Sequence, residues 1–328
     1  MRAFTRCYRV AGCRLAFTAD GQSLLDRTVA LIDGWHFEPD SWSETAFSLE
    51  LITGTEGAPA FSGDFFPVHH GECVVNDERL LLHTSGSWID TESFSPRLRV
   101  HVGVEASDAT AFSRLMFYAV QTALRRCGVF ELHAGGVVAP GNGAGALIIG
   151  ESGSGKTTIT MRLAGCGWKY LSDDVVLLRN GSAGIDAFPF RRVFAANEPT
   201  LSVCRPSRIA EATRPAAEFE PEKKRLDPVV LYPHQHVVSA VPRTLFFSTI
   251  AAVPLSTTRR VTAAHAYTRL MRMCPWSVYD VPVVRAHSSV LARLAQDSRA
   301  FELIAGRDFL EDSDRAARIL GSLVESDP

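Results

Sequence analysis

The sequence predicts an α/β chain: a β-rich α+β region over 1–105, then a strand–loop–helix domain over 106–328 that ends in a helical tail. Three observations carry this. The first hundred residues alternate short Val/Thr/Leu/Phe runs with turn residues. An apolar strand, a glycine-rich loop and a helix follow one another from Ala146 to Ala164. From Ala263 onward, three stretches carry apolar residues at helical spacing. Composition agrees: 46% of the 328 residues are hydrophobic and 21% charged, which excludes a wholly disordered chain. A formal charge of −2 argues against a generic nucleic-acid binder.

In order, a helix is expected near Leu24–Ile32, and strands over Ala46–Thr53, Cys73–His83 and Arg97–Val104. Ser107 or Asp108 caps a helix with apolar residues at Phe112, Leu115, Met116, Ala119, Val120 and Ala123. Gly128 stops it. Strands over Val129–Val138 and Ala144–Ile149 flank the turn Ala139-Pro-Gly-Asn-Gly143. A helix over Lys156–Ala164 ends at Gly165 and Gly167. Strands Trp168–Leu171 and Val175–Arg179 precede the hairpin signal Asn180-Gly181. The Pro/Glu/Lys/Ala-rich stretch from Ala210 to Pro228 reads as a surface loop. Arg243–Ile250 is a strand, and Ala263–Met273, Ser288–Ala295 and Ser313–Val324 are helices.

The seven cysteines are scattered and form no C-x-x-C, so neither a zinc ribbon nor a thioredoxin site is indicated. Reduced thiols in a cytoplasmic protein are expected. Arginines at 2, 6, 9 and 14 interrupt any signal-peptide core, and Thr244–Leu255 is too short to span a bilayer. His69, His70 and Cys73 are close in sequence but match no ligand spacing.

The strongest signal is Gly150-Glu-Ser152-Gly153-Ser154-Gly155-Lys156-Thr157, which fits G-x-x-x-x-G-K-[ST]. Such a loop wraps phosphates with consecutive backbone N–H groups, aided by the helix N-terminus. Glycines permit the close approach. Lys156 then reaches the β/γ-phosphates of ATP, and the Thr157 hydroxyl holds Mg²⁺. With Thr158, these residues form the expected nucleotide-binding set. A hydrolase elbow would need glycine where Ser154 stands. Gly141-x-Gly143-x-x-Ala146 precedes a strand rather than a helix, so it is no dinucleotide fingerprint.

Sixteen residues beyond Thr157 comes Leu171-Ser-Asp173-Asp174-Val175. Of two adjacent carboxylates at a strand end, one can orient Mg²⁺ and the other accept the proton of an attacking hydroxyl. His133, in Glu131-Leu-His133-Ala-Gly, lies on a strand that could bring it near the phosphates.

Together, Leu132-His133-Ala-Gly-Gly-Val-Val, the glycine loop and Leu-Ser-Asp-Asp-Val resemble the HPr serine kinase family, whose core is related to phosphoenolpyruvate carboxykinase. The resemblance is close over about 130–180 and loose over 108–328. It implies a P-loop kinase core, with Lys156 as the loop lysine, Thr157 as the Mg²⁺ hydroxyl, Asp173 as general base, Asp174 as the metal-associated carboxylate, and His133 near the reacting phosphate. Bifunctional HPr kinase/phosphorylases carry serine and glutamate after the loop lysine; here Thr157-Thr158 stands, and their glycine-arginine-asparagine signature has no counterpart. The chain looks closer to divergent HPr-kinase-like proteins found with peptide natural products, among them lasso-peptide tailoring kinases.

Phe188-Pro-Phe-Arg191-Arg192 supplies guanidinium forks suited to phosphate or an acidic acceptor, and Lys223-Lys224-Arg225 a basic loop. Phosphoryl transfer to a hydroxyl requires that water be excluded, so a lid is expected over 205–230. The expected activity is ATP- and Mg²⁺-dependent transfer to a seryl hydroxyl of a peptide or small protein, with a lasso precursor as the acceptor that the resemblance suggests and the 1–105 region in acceptor recognition. No nucleic-acid or membrane partner is expected; a homo-oligomer is compatible. A kinase for a small metabolite such as free serine, and a nucleotide-binding regulatory module without turnover, are the alternatives.

Overall fold

The computed structural model describes residues 3–41, 47–54, 57–68, 70–93, 95–215, 222–274, 276 and 279–325. Its contacts divide the chain into two units: residues 1–130 with 275–287, and residues 131–274 with 288–328. The sequence boundary was expected at 105/106; the helix that follows it groups with the first unit.

The first unit contains β1 (Phe4–Val10), β2 (Cys13–Ala19), α1 (Gln22–Ile32), β3 (Glu38–Asp40), β4 (Phe47–Thr53), β5 (Asp64–Val68), β6 (Gly71–Val75), β7 (Arg79–Thr84), β8 (Ser87–Glu92), β9 (Arg97–Val102) and α2 (Ala109–Arg126). The strands form one mixed sheet in the order β3-β1-β2-β4-β9-β8-β7-β6-β5. The continuous strand expected over Cys73–His83 is a hairpin, because the Asn76 side chain accepts from the Glu78 and Arg79 N–H groups and closes a turn. Asp108 caps α2 by accepting from the Ala111 N–H, and its stripe Phe112, Leu115, Met116, Ala119, Val120 and Ala123 is buried as the spacing required. His69 lies outside the described residues, and no metal-binding group of three or more His, Cys, Asp or Glu occurs among the described ones.

The second unit begins on β10 (Phe130–Val138) and continues through β11 (Gly145–Ile149), α3 (Lys156–Gly165), β12 (Lys169–Ser172), β13 (Val175–Asn180) and β14 (Ile185–Pro189). Next come β15 (Phe194–Ala196), α4 (Glu198–Cys204), α5 (Ile209–Ala212), β16 (Thr213–Arg214), β17 (Lys224–Leu226) and α6 (Pro228–Leu231). The chain closes with β18 (Pro242–Ile250), β19 (Thr257–Val261), α7 (Ala263–Arg272), α8 (Val281–Asp297, of which the part up to His287 groups with the first unit), β20 (Arg299–Ala305), α9 (Arg307–Glu311) and α10 (Ser313–Glu325). The main sheet runs β14-β13-β10-β11-β18-β20-β19, with β12 also on β10. β11, β18 and β20 are parallel, while β10 is antiparallel to β11. Against one face, Ile159, Leu163, Trp168, Phe246, Leu303, Phe309 and Leu320 are buried in a single cluster. Each such side chain contributes about 1.5–3 kcal/mol on burial.

Three sequence expectations need correction. Among its described residues, the stretch from Ala210 to Pro228 is not simply a surface loop: α5, β16 and β17 lie on it, α6 begins at its end, and Ala212 and Leu226 are fully buried beside Tyr170 and Phe194. Single apolar anchors between polar residues suffice to bury a short element, though they leave no periodic signature. The tail, mostly helical as expected, also contains an unexpected strand: β20 pairs parallel with β18 and antiparallel with β19. The Asn180-Gly181 turn is longer than two residues: Gly181 N–H donates to the Gly184 carbonyl, and β14 starts at Ile185. Among the described residues no helix is long and apolar enough to cross a membrane, and none of the seven cysteines is in a disulfide.

Candidate functional site

The segment 150–155 joins β11 to α3 at the edge where the parallel strands end, the usual place for a ligand in an open α/β sheet. Two glycines are required here by backbone conformation. Gly153 and Gly155 have φ of +82° and +93°, a region that L side chains rarely adopt. Gly150 is required by space instead, since a Cβ on it would stand 2.4 Å from the Ser154 Oγ. With the loop so turned, α3 opens on Lys156 and its first N–H groups lack intrahelical partners, a geometry suited to an anion.

Lys156 is buried, and its Nζ donates to the carbonyls of Gly150 (2.9 Å) and Glu151 (3.0 Å). Burial lowers its pKa; the charges of Asp174 and Asp173 oppose this, and the nearby Lys223 adds to it. Lys223 therefore lies within electrostatic reach of the loop lysine.

The Asp173-Asp174 turn follows β12. Because Ser172 pairs with Gly136 of β10, the turn lands beside His133 and Gly135. Asp173 is 1% exposed, and its Oδ2 accepts from the Thr157 hydroxyl at 3.0 Å and the Ala195 N–H at 3.1 Å. Burial pushes its carboxyl up to about 6, and the Asp174 charge adds to this against the two donors. Asp174 is the opposite case. Burial would raise its pKa, but the hydrogen bond and charge of His133, then Arg191 and Lys156, hold it well below the usual carboxylate range. His133 Nε2 stands 3.0 Å from Asp174 Oδ1, and Arg191 Nη1 3.7 Å from Asp174 Oδ2. Two adjacent carboxylates are thus driven apart in acidity, one toward a proton acceptor and one toward a permanent anion.

The structure brings Lys156, Thr157, Asp173, Asp174, His133 and Arg191 together. The Thr157 hydroxyl donates to Asp173. Thr158 turns elsewhere: its hydroxyl is 2.8 Å from that of Thr200 in α4, inside the core. Arg192 acts on His236, whose pKa is lowered by burial and then by this arginine. The proposed lid also changes character. Strands β16 and β17 form a three-stranded sheet with β15, the strand that supplies the Ala195 N–H. Sequence reasoning missed Ala195, since a backbone donor leaves no residue signature. It also passed over Gly135, where a Cβ would stand 2.5 Å from the Thr160 Oγ1; a Gly-Gly pair inside a strand was the available signal.

The carboxylates and the Thr157 hydroxyl are hard oxygen donors. That set fits Mg²⁺, which binds through one or two carboxylates and completes its shell with phosphates and water.

No family model matches the sequence, and no curated protein matches it. Among solved structures the chain is similar to the HPr(Ser) kinase/phosphatase from Coxiella burnetii, at 12% identity, over 59% of this chain and 96% of that chain, with a TM-score of 0.29. A likeness of that size carries no argument about the site.

Proposed function

We propose that this chain is an ATP- and Mg²⁺-dependent kinase that transfers a phosphoryl group to a seryl hydroxyl of a peptide or small protein. One observation supports it above the rest. The Thr157–Asp173 hydrogen bond of 3.0 Å joins the glycine loop to the carboxylate turn, so the phosphate cradle and the base share one wall.

In this reading the loop amides and the start of α3 hold the β- and γ-phosphates. Lys156 exchanges its two carbonyl partners for phosphate oxygens. Asp173 takes the proton of the acceptor hydroxyl, whose oxygen attacks the γ-phosphorus as the bond to the β–γ bridging oxygen breaks and ADP leaves. With a carboxyl near 6, Asp173 is mostly ionised at pH 7 to 8 yet more basic than an ordinary aspartate, which favours proton transfer. Thr157 and Asp174 would hold Mg²⁺, which would supply charge neutralisation for the transferring group. His133 and Arg191 hold Asp174 ionised and oriented. In this reading Arg191, beside Asp174, and Lys223, within electrostatic reach of Lys156, would meet an acidic acceptor. A ribosomally made precursor peptide, of the lasso type, is the acceptor class this reading names, and the 1–105 region is its candidate recognition element.

The test is the intact mass of three acceptors after incubation with Mg-ATP: a peptide ending in serine, HPr and free serine. The expected result is one added phosphate on the peptide with wild type. None is expected with Asp173→Asn, which keeps an oxygen for the Thr157 and Ala195 donors and still binds Mg-ATP. Loss of a general base costs about 10²–10⁴ in rate. Transfer undiminished in the variant, or transfer to no acceptor, would count against the proposal.

A further inference from the structure

We infer that the segment Ile250–Leu255 is the shelf on which the base of the bound nucleotide lies; this rests on the nucleotide reading above. The direction follows from strand order. β11, which leads into the glycine loop, has β10 on one side and β18 on the other. His133 is on β10, and Asp173 and Asp174 follow β12, which pairs with β10. The carboxylates that receive the γ-phosphate therefore lie on one flank of the loop. A nucleotide whose γ-phosphate points to them extends its base toward the other flank, beyond the end of β18.

That flank is apolar and exposed. Ile250, Val253 and Leu255 are 36%, 37% and 61% exposed, three aliphatic side chains within six residues. Isolated exposed aliphatics need no explanation, but a cluster beside a ligand site does. It is also continuous with the loop: a Cβ on Gly155 would stand 2.6 Å from the Ile250 Cδ1. The backbone of the segment is tied down. Ala251 N–H donates to the Ala305 carbonyl at 3.0 Å, Arg307 N–H to Val253 at 2.9 Å, and Asp308 N–H to Pro254 at 3.2 Å. Ser256 donates to Asp308 Oδ1 through both its N–H (2.8 Å) and its hydroxyl (2.7 Å). Gly306 is needed for this, since a Cβ there would meet the Val253 carbonyl at 2.7 Å. The aliphatic groups are thus held outward on a rigid support, the kind of preformed apolar wall that accepts a flat ring at little ordering cost.

Calorimetry with Mg-ATP and with Mg-tripolyphosphate, which has the phosphates but no base, tests this on wild type and on the double variant Val253→Ser/Leu255→Ser. The expected result is an ATP affinity about tenfold weaker in the variant, the scale of two lost aliphatic contacts, with tripolyphosphate affinity unchanged. Unchanged tripolyphosphate binding also certifies that the variant is folded. An ATP affinity equal to wild type would overturn the shelf. So would equal weakening of both ligands, because the segment would then act on the phosphate loop. If wild type binds neither ligand, the kinase reading itself falls, and the shelf with it.

Discussion

Gly135→Ala tests whether β10 and α3 are as closely seated as the site requires. The new methyl would stand 2.5 Å from the Thr160 Oγ1, with the Asp173 and Lys156 carbonyl oxygens at 3.5 and 3.6 Å. The first distance falls roughly 1 Å short of ordinary contact. Thr160 is fully buried in α3, where a threonine has few rotamers and this one has no solvent to turn into. The helix must therefore move away from the strand. Overpacking of this kind costs about 1–3 kcal/mol. Because α3 begins at Lys156 and His133 lies two residues from the substitution, the proposed kinase function would also lose on the order of 10²-fold in transfer rate from a shift near 1 Å. Thr160→Ala supplies the control. Among the described residues its Oγ1 has no hydrogen-bond partner, so truncation opens space without breaking a bond. Urea unfolding of wild type, both single variants and the double variant forms a cycle. The double variant should recover most of the loss, with a coupling of about 1–2 kcal/mol, well above the roughly 0.5 kcal/mol scatter of independent sites. Wild-type stability in Gly135→Ala, or strict additivity in the cycle, would refute the seating argument.

Two further predictions concern the first unit. Asp280 is fully buried and meets Arg126 through two bonds of 3.1 and 3.2 Å, with Arg125 at 3.9 Å; Asp280→Asn leaves two buried guanidinium groups uncompensated and should cost about 3–5 kcal/mol in urea unfolding, a loss below about 1 kcal/mol counting against it. His287 Nδ1 accepts from the Trp276 indole N–H at 3.0 Å, and burial, then the Arg125 charge, lowers its pKa to about 3 from the ordinary 6.5. Its contribution is therefore whole above pH 6.5 and is lost as pH falls toward 3, because the unfolded chain takes up a proton that the fold refuses. Wild type should lose about 1.4 kcal/mol per pH unit from this group below 6.5, and His287→Gln should flatten that slope; equal slopes would remove the group from the account.

The residues that the structure brings together in the candidate site could be picked out in the sequence because each signal is local. A glycine loop that must adopt left-handed φ, a lysine and threonine opening a helix, and an Asp-Asp turn at a strand end each declare themselves within a few residues. So did the apolar stripe of α2, whose burial follows from helical periodicity alone. What remained illegible depends on pairing between distant segments. Whether Asp173 or Asp174 faces Thr157 is decided by the register of β12 on β10, which a sequence does not state. The Ala195 donor reaches Asp173 from β15, a three-residue strand supported by β17 some thirty residues later. β20 escaped notice because seven residues carry too little periodic signal, yet it holds β18 from the far side and anchors the apolar segment at its end. Short-range sterics and charge thus determine which residues can do chemistry. Only the tertiary structure, through strand register and burial, decides which carboxylate meets Thr157 and Ala195 and which meets His133 and Arg191.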